Sequence, residues 1–155
     1  MWLHPKGEQG MLYTRFARAV LVVQTLVWAG LALAYWFWPY EMTNASGMIL
    51  MDSASVTETQ VFYGGLQFGL ALFTGFAVFH PHLVRAALLL IVFLQLSTAS
   101  VRLIGALLAD AGEANFDWYA QLYKVAIAVL AIIALRLLDR RDRLQAQRYE
   151  HAEED

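Results

Sequence analysis

At 155 residues the chain is long enough for one domain and too short for two comfortable ones. Hydrophobic residues make up 59% of it and charged residues 15%, against about 45–50% and roughly 25% in soluble domains, which excludes disorder and argues against a soluble globular fold. A net charge of −2 gives no basic surface for nucleic acid, and the lack of cysteine rules out disulfides, thiolate metal sites and a cysteine nucleophile.

Four apolar stretches approach the roughly 20 residues that cross a bilayer as a helix. The first, Ala19 to Trp38, carries no charge and stops at Pro39, which cannot extend a helical hydrogen-bond ladder. It is too long for a signal-peptide core, and bulky Trp36, Phe37 and Trp38 stand where small cleavage-site residues belong. The second, Val61 to Phe79, is also uncharged and ends at His80-Pro81-His82, a turn rather than a metal site. The third, Ala86 to Ala109, holds one charge, Arg102, and the fourth, Trp118 to Leu135, holds Lys124. The expected fold is all-α: a four-transmembrane-helix bundle over residues 1–138, with helices at about 16–38, 61–79, 86–109 and 118–138. A charged tail, 139–155, extends the fourth helix into water, with Asp139 and Arg143 spaced for an i,i+4 pair.

Basic residues set the orientation, because cytoplasmic flanks concentrate Lys and Arg. Lys6, Arg15 and Arg18 precede the first helix, Arg85 lies in the second loop, and Arg136, Arg140, Arg141, Arg143 and Arg148 follow the fourth. The loops Pro39–Gln60 and Asp110–Asp117 contain neither Lys nor Arg, but hold Glu41, Asp52, Glu58, Asp110, Glu113 and Asp117. Both termini are therefore expected in the cytoplasm of a cell bounded by an inner membrane. The aromatic groups Tyr35-Trp36-Phe37-Trp38 and Trp118-Tyr119 then fall at the outer interface, where amphipathic rings prefer to sit.

Ionisable groups at membrane depth are costly and usually face a bundle interior. At about 1.5 Å per residue, Arg102 lies roughly 12 Å below the outer boundary, Lys124 roughly 10 Å and Gln67 roughly 13 Å. Gln95, Thr98 and Arg102 follow i, i+3, i+7 on the third helix, and Gln60, Tyr63 and Gln67 do so on the second. Gln121 and Lys124 are i, i+3 on the fourth. These stripes predict a polar pocket opening outward, lined by Arg102, Lys124, Gln67, Tyr63, Glu58 and Gln121. The opposing reading is that the two cations snorkel to the interface or pair with an acidic loop residue. Gln24-Thr25, deeper in the first helix, are placed to hydrogen-bond a neighbouring helix. On the second helix Gly64, Gly65 and Gly69, the last two a GxxxG, are expected to allow close helix packing, within the monomer or between two copies.

The run Tyr63-Gly64-Gly65-Leu66-Gln67-Phe68-Gly69-Leu70, followed by Arg102-Leu103-Ile104-Gly105 and Asp110-Ala111-Gly112, resembles an uncharacterised bacterial family of small four-helix inner-membrane proteins, a domain of unknown function. The layout is also similar to that of DoxX-like proteins. The resemblance spans about Arg15 to Leu138 and implies a bacterial envelope protein without specifying an activity or a cofactor. It further implies a departure at Lys124, where the family pattern has an acidic residue near this point of the fourth helix.

No Ser-His-Asp set, phosphate-binding glycine loop, HExxH motif or paired membrane carboxylates occur, so neither catalytic residues nor metal ligands are indicated. The expected function is binding of an anionic lipid or small amphiphile in the outward pocket, or service as an accessory subunit beside a membrane-protein partner. Its surroundings are the lipid bilayer, possible partners include a second copy of the chain, and nucleic acid is not among them. The alternative is an integral-membrane enzyme acting on a lipid-soluble substrate.

Overall fold

The computed structural model describes residues 6–108 and 117–153. In order these form α1 (Lys6–Phe37), α2 (Pro39–Ala45), α3 (Ser53–Thr59), a π-helical segment (Gln60–Gly65), α4 (Leu66–Phe79), a 3₁₀ turn (Pro81–Leu83), α5 (Val84–Leu108) and α6 (Trp118–Glu153). No strand occurs among the described residues, and the fold is all-α. Four stretches are long and apolar enough to cross a membrane: Gly10–Phe37, Ser53–Phe79, Pro81–Leu108 and Trp118–Gln147.

The boundaries differ from the sequence expectation where capping chemistry intervenes. The second span begins at Ser53 rather than near 61, because Asp52 caps it: its Oδ1 accepts from the Ser55 backbone N–H and hydroxyl, both at 2.7 Å. Those bonds hold the Asp52 carboxyl below its ordinary pKa. Glu58 thus sits on a helix, not in a loop. At the end of α1 the chain turns through Trp38, and Pro39 opens α2 at the position where its missing N–H costs nothing. α2 closes in a Schellman motif: the N–H of Met48 donates to the Thr43 carbonyl and that of Gly47 to Asn44, with Gly47 at φ +77°. The turn at His80-Pro81-His82 forms as expected, with His80 Nδ1 2.9 Å from the Phe76 carbonyl and its ring stacked on Phe76. α6 runs unbroken through the charged tail to Glu153, whereas Ala109 and the Asp110-Ala111-Gly112 stretch lie outside the described residues.

α1 is the central element. It packs most extensively on α4, then on α6, and also touches α5; α5 packs on α6, while α4 and α5 meet only slightly. At the end carrying both termini the bundle is closed by small residues: Ala17, Ala77, Ala87, Ala131 and Ala134 are fully buried beside Leu21, Leu88 and Ile91. Small side chains let helix backbones approach, which is how helices associate where lipid offers no hydrophobic contrast. Arg85 at the start of α5 clamps α6 here, its guanidinium bonding Asp139 at 2.5 Å and Asp142 at 2.7 Å. Asp139 is therefore held by another helix as well as lying near Arg143 on its own. Arg141 donates to Thr14 at 2.8 Å, tying the two terminal helices together.

One packing expectation is corrected. The GxxxG glycines do not press against another helix: a Cβ on Gly65 would meet nothing nearer than the Gln60 carbonyl at 3.9 Å, and on Gly69 nothing within 4 Å. Close approach is found at the third expected glycine, Gly64, where a Cβ would lie 2.5 Å from the Trp36 indole, and also at Gly75, 3.3 Å from Thr25. The reason is phase: the face of the π-helical segment and α4 that meets α1 carries Gly64, Ala71 and Thr74, and Gly69 lies on the exposed side.

Candidate functional site

At the end opposite the termini the bundle is open. The buried residues of α5 stop at Gln95, so its remaining turns no longer fill the space between α4 and α6. A cavity of about 920 Å³ results, walled by α1, α5, α6 and the continuous α3–π–α4 helix. Val27, Trp28 and Leu31 of α1, with Phe62, Leu66 and Leu94, give it apolar sides.

The polar groups cluster in two places. At the floor, Gln24 is fully buried, and its Oε1 accepts from Gln95 Nε2 at 3.2 Å and from the Tyr123 hydroxyl at 2.9 Å. Three helices are joined by this network, and the expected partner for Gln24 is thereby identified. Beside it Thr25 donates to Thr74 at 2.8 Å, and Thr74 donates to the Leu70 carbonyl at 2.9 Å. Higher on the wall stand Gln67, Tyr63, Glu58, Thr98 and Lys124.

The π-helical segment shapes that wall. A π turn inserts one extra residue per turn and leaves backbone carbonyls free. The Gln60 carbonyl receives the Trp36 indole N–H at 3.3 Å, while Gln60 Nε2 donates to the Trp36 carbonyl at 3.0 Å. Trp36 lies over Gly64, and Tyr35 stacks on Tyr63 with centroids 5.2 Å apart. The Gln60/Tyr63/Gln67 stripe is thus split: Gln60 faces α1, while Tyr63 and Gln67 face the cavity.

Of the residues anticipated for a pocket, Lys124, Gln67, Tyr63 and Glu58 line the cavity together. Arg102 does not; its side chain is exposed on the far part of α5, within electrostatic reach of Lys124. Gln121 is buried but outside the lining, its Oε1 without a hydrogen-bond partner among the described residues. Lys124 and Glu58 are the charged side chains on the lining, and Lys124 forms no ion pair among the described residues. Tyr123 escapes sequence reasoning and Trp36 is legible there only as an interfacial ring, although a phenol or indole inside an apolar span signals a polar partner.

The arrangement offers an ammonium to a negative group, amides to neutral polar atoms and an apolar wall to a hydrocarbon body. Among the described residues no group of three or more His, Asp or Glu side chains is placed to hold a metal ion. No family model matches the chain, and no curated protein or solved structure shows significant similarity to it.

Proposed function

We propose that this chain is a multi-pass protein of a bacterial inner membrane that binds an anionic amphiphile in its open-ended cavity. The observation that carries the proposal is the cavity itself: about 920 Å³, apolar on most sides, with Lys124 as the cation among its described lining residues. Ligand pockets commonly have this build, a few polar groups set in an apolar lining of roughly 300–1,000 Å³. Lys124 supplies attraction for a phosphate or carboxylate in surroundings where a charge is costly to leave unmatched. Glu58 on the same wall disfavours a second negative charge and so limits the head group to low charge. The run of basic residues on the terminal side supports cytoplasmic termini, which turns the cavity outward.

Native mass spectrometry of detergent-extracted protein tests the reading. A copurifying anionic lipid or amphiphile at one copy per chain is expected, at least tenfold depleted in Lys124→Gln and retained in Arg102→Gln. Equal retention in both variants overturns Lys124 as the anchor. Alkaline phosphatase fused after Asp155 should be inactive and fused within the loop at Asp52 active; the reverse turns the cavity to the cytoplasm.

A further inference from the structure

Two charges of opposite sign line the cavity without meeting. Lys124 stands on α6 and Glu58 on α3. Neither forms an ion pair or a hydrogen bond with the other or with any other described residue. Packing keeps them on separate walls: the α3–π–α4 helix and α6 each pack on α1, with no substantial contact between the two. At about 1.5 Å per residue, Glu58 lies roughly 8 Å inside the start of α3 at Ser53, and Lys124 roughly 9 Å inside the start of α6 at Trp118. Both therefore stand toward the open end.

The two groups ask for different chemistry. Lys124 is partly buried and takes the anion of the proposed amphiphile. Glu58 is exposed, so water solvates its carboxylate. A head group seated at Lys124 displaces some of that water. If it brings no donor, the carboxylate loses hydrogen bonds that nothing replaces. If it brings a second negative charge, repulsion adds to the cost. Hydroxyl groups replace the lost bonds without changing the charge of the ligand, and the two oxygens of a carboxylate accept from two of them at once. A singly charged anion followed by a short polyol is the head group that suits both walls.

We infer that Glu58 makes the cavity selective for anionic amphiphiles whose head group carries hydroxyl donors beyond its charged centre. The inference rests on the proposed anionic binding at Lys124. It adds a specificity-determining residue on another wall, acting on a different part of the ligand.

The test uses the full-length protein in detergent, delipidated and offered dioleoyl phosphatidylglycerol or dioleoyl phosphatidylmethanol. The two lipids share their chains and their single negative charge, and the second lacks the glycerol hydroxyls. Native mass spectrometry should show phosphatidylglycerol bound roughly fivefold more tightly by the wild type, the equilibrium weight of about one net hydrogen bond. Glu58→Met, similar in length and at an exposed position, should reduce that ratio to about one, while Lys124→Gln should weaken both lipids at least tenfold. The wild-type ratio needs no variant to fold and stands by itself. Equal binding of both lipids, still lost in Lys124→Gln, overturns the selection for hydroxyls and leaves the anionic site intact. Binding of neither lipid overturns the anionic reading itself. A preference that survives in Glu58→Met overturns the assignment to this carboxylate.

Discussion

From Val84 to Gln95, α5 buries Val84, Ala87, Leu88, Ile91, Val92 and Gln95; from Leu96 to Leu108 it buries nothing. Both halves are strongly apolar, and a bilayer accepts either, so hydropathy does not distinguish a helix-facing surface from a lipid-facing one. Partners make the difference. Beside the first half, α6 and α4 present Ala131, Ala134 and Ala77, and the backbones close up. Toward the other end the neighbouring elements carry Trp28, Tyr35, Phe62 and Tyr63, which line a cavity instead of closing on α5. One helix thus supports a packed core at one end, meets the cavity near its middle through Leu94, Gln95 and Thr98, and is exposed beyond.

Truncations along α5 should reproduce this asymmetry. Leu88→Ala, at a fully buried position, should cost about 3 kcal/mol, mostly from the void left behind. Leu107→Ala, 75% exposed, should leave the thermal midpoint of the detergent-solubilised protein unchanged. Equal losses at the two positions would mean that the far half of α5 is packed after all.

The glycines of the second span give a comparison nearly as sharp. Gly64→Ala drives a methyl into the Trp36 indole, which is pinned by its bond to Gln60, and should cost about 2 kcal/mol. Gly69→Ala, where the added methyl meets nothing within 4 Å, should be neutral or slightly stabilising. If Gly69→Ala changes oligomer size instead, the GxxxG face belongs to a contact between copies.

Smaller effects are expected in the segment that precedes the cavity. Gly47→Ala puts a side chain on a left-handed residue and should cost about 1 kcal/mol, without affecting lipid retention. Asp52→Ala should raise hydrogen exchange at the Ser55 amide and fray α3 from its start. The same fraying should follow acidification. Because the folded carboxyl titrates below its ordinary value, the cap is complete above about pH 3.9 and is lost as the pH falls through that lower folded value. Fraying that begins near neutral pH would assign the effect to another group.

Much of the architecture is legible in the sequence because membrane length and charge exclusion act locally. Uncharged runs such as Ala19–Trp38 and Val61–Phe79 mark the spans directly, and Pro39 and Pro81 mark where two of them break. Four members of the cavity wall, Lys124, Gln67, Tyr63 and Glu58, are also found from polarity and depth. Arg102 is misplaced because a helical stripe continues its phase regardless of whether a neighbour still faces it. Of the three glycines expected to pack closely only Gly64 does, because the interhelical contact depends on Trp36, which is remote in sequence. The π-helical segment leaves no mark in QVFYGG itself; it is stabilised by the reciprocal bonds between Gln60 and Trp36, and pairwise tertiary contacts are not written in periodicity.

Arg85 finds its two carboxylates 54 and 57 residues later in the chain. During synthesis that guanidinium emerges long before Asp139 and Asp142 exist, and it waits at the membrane surface as an open cation. The clamp closes only after the fourth span has been threaded and the chain beyond it has emerged on the same side. A fourth span left on the wrong side would strand the two aspartates across the bilayer from their arginine. The bridge therefore reports on completed insertion: it is a junction that a half-inserted or inverted chain has no means of making.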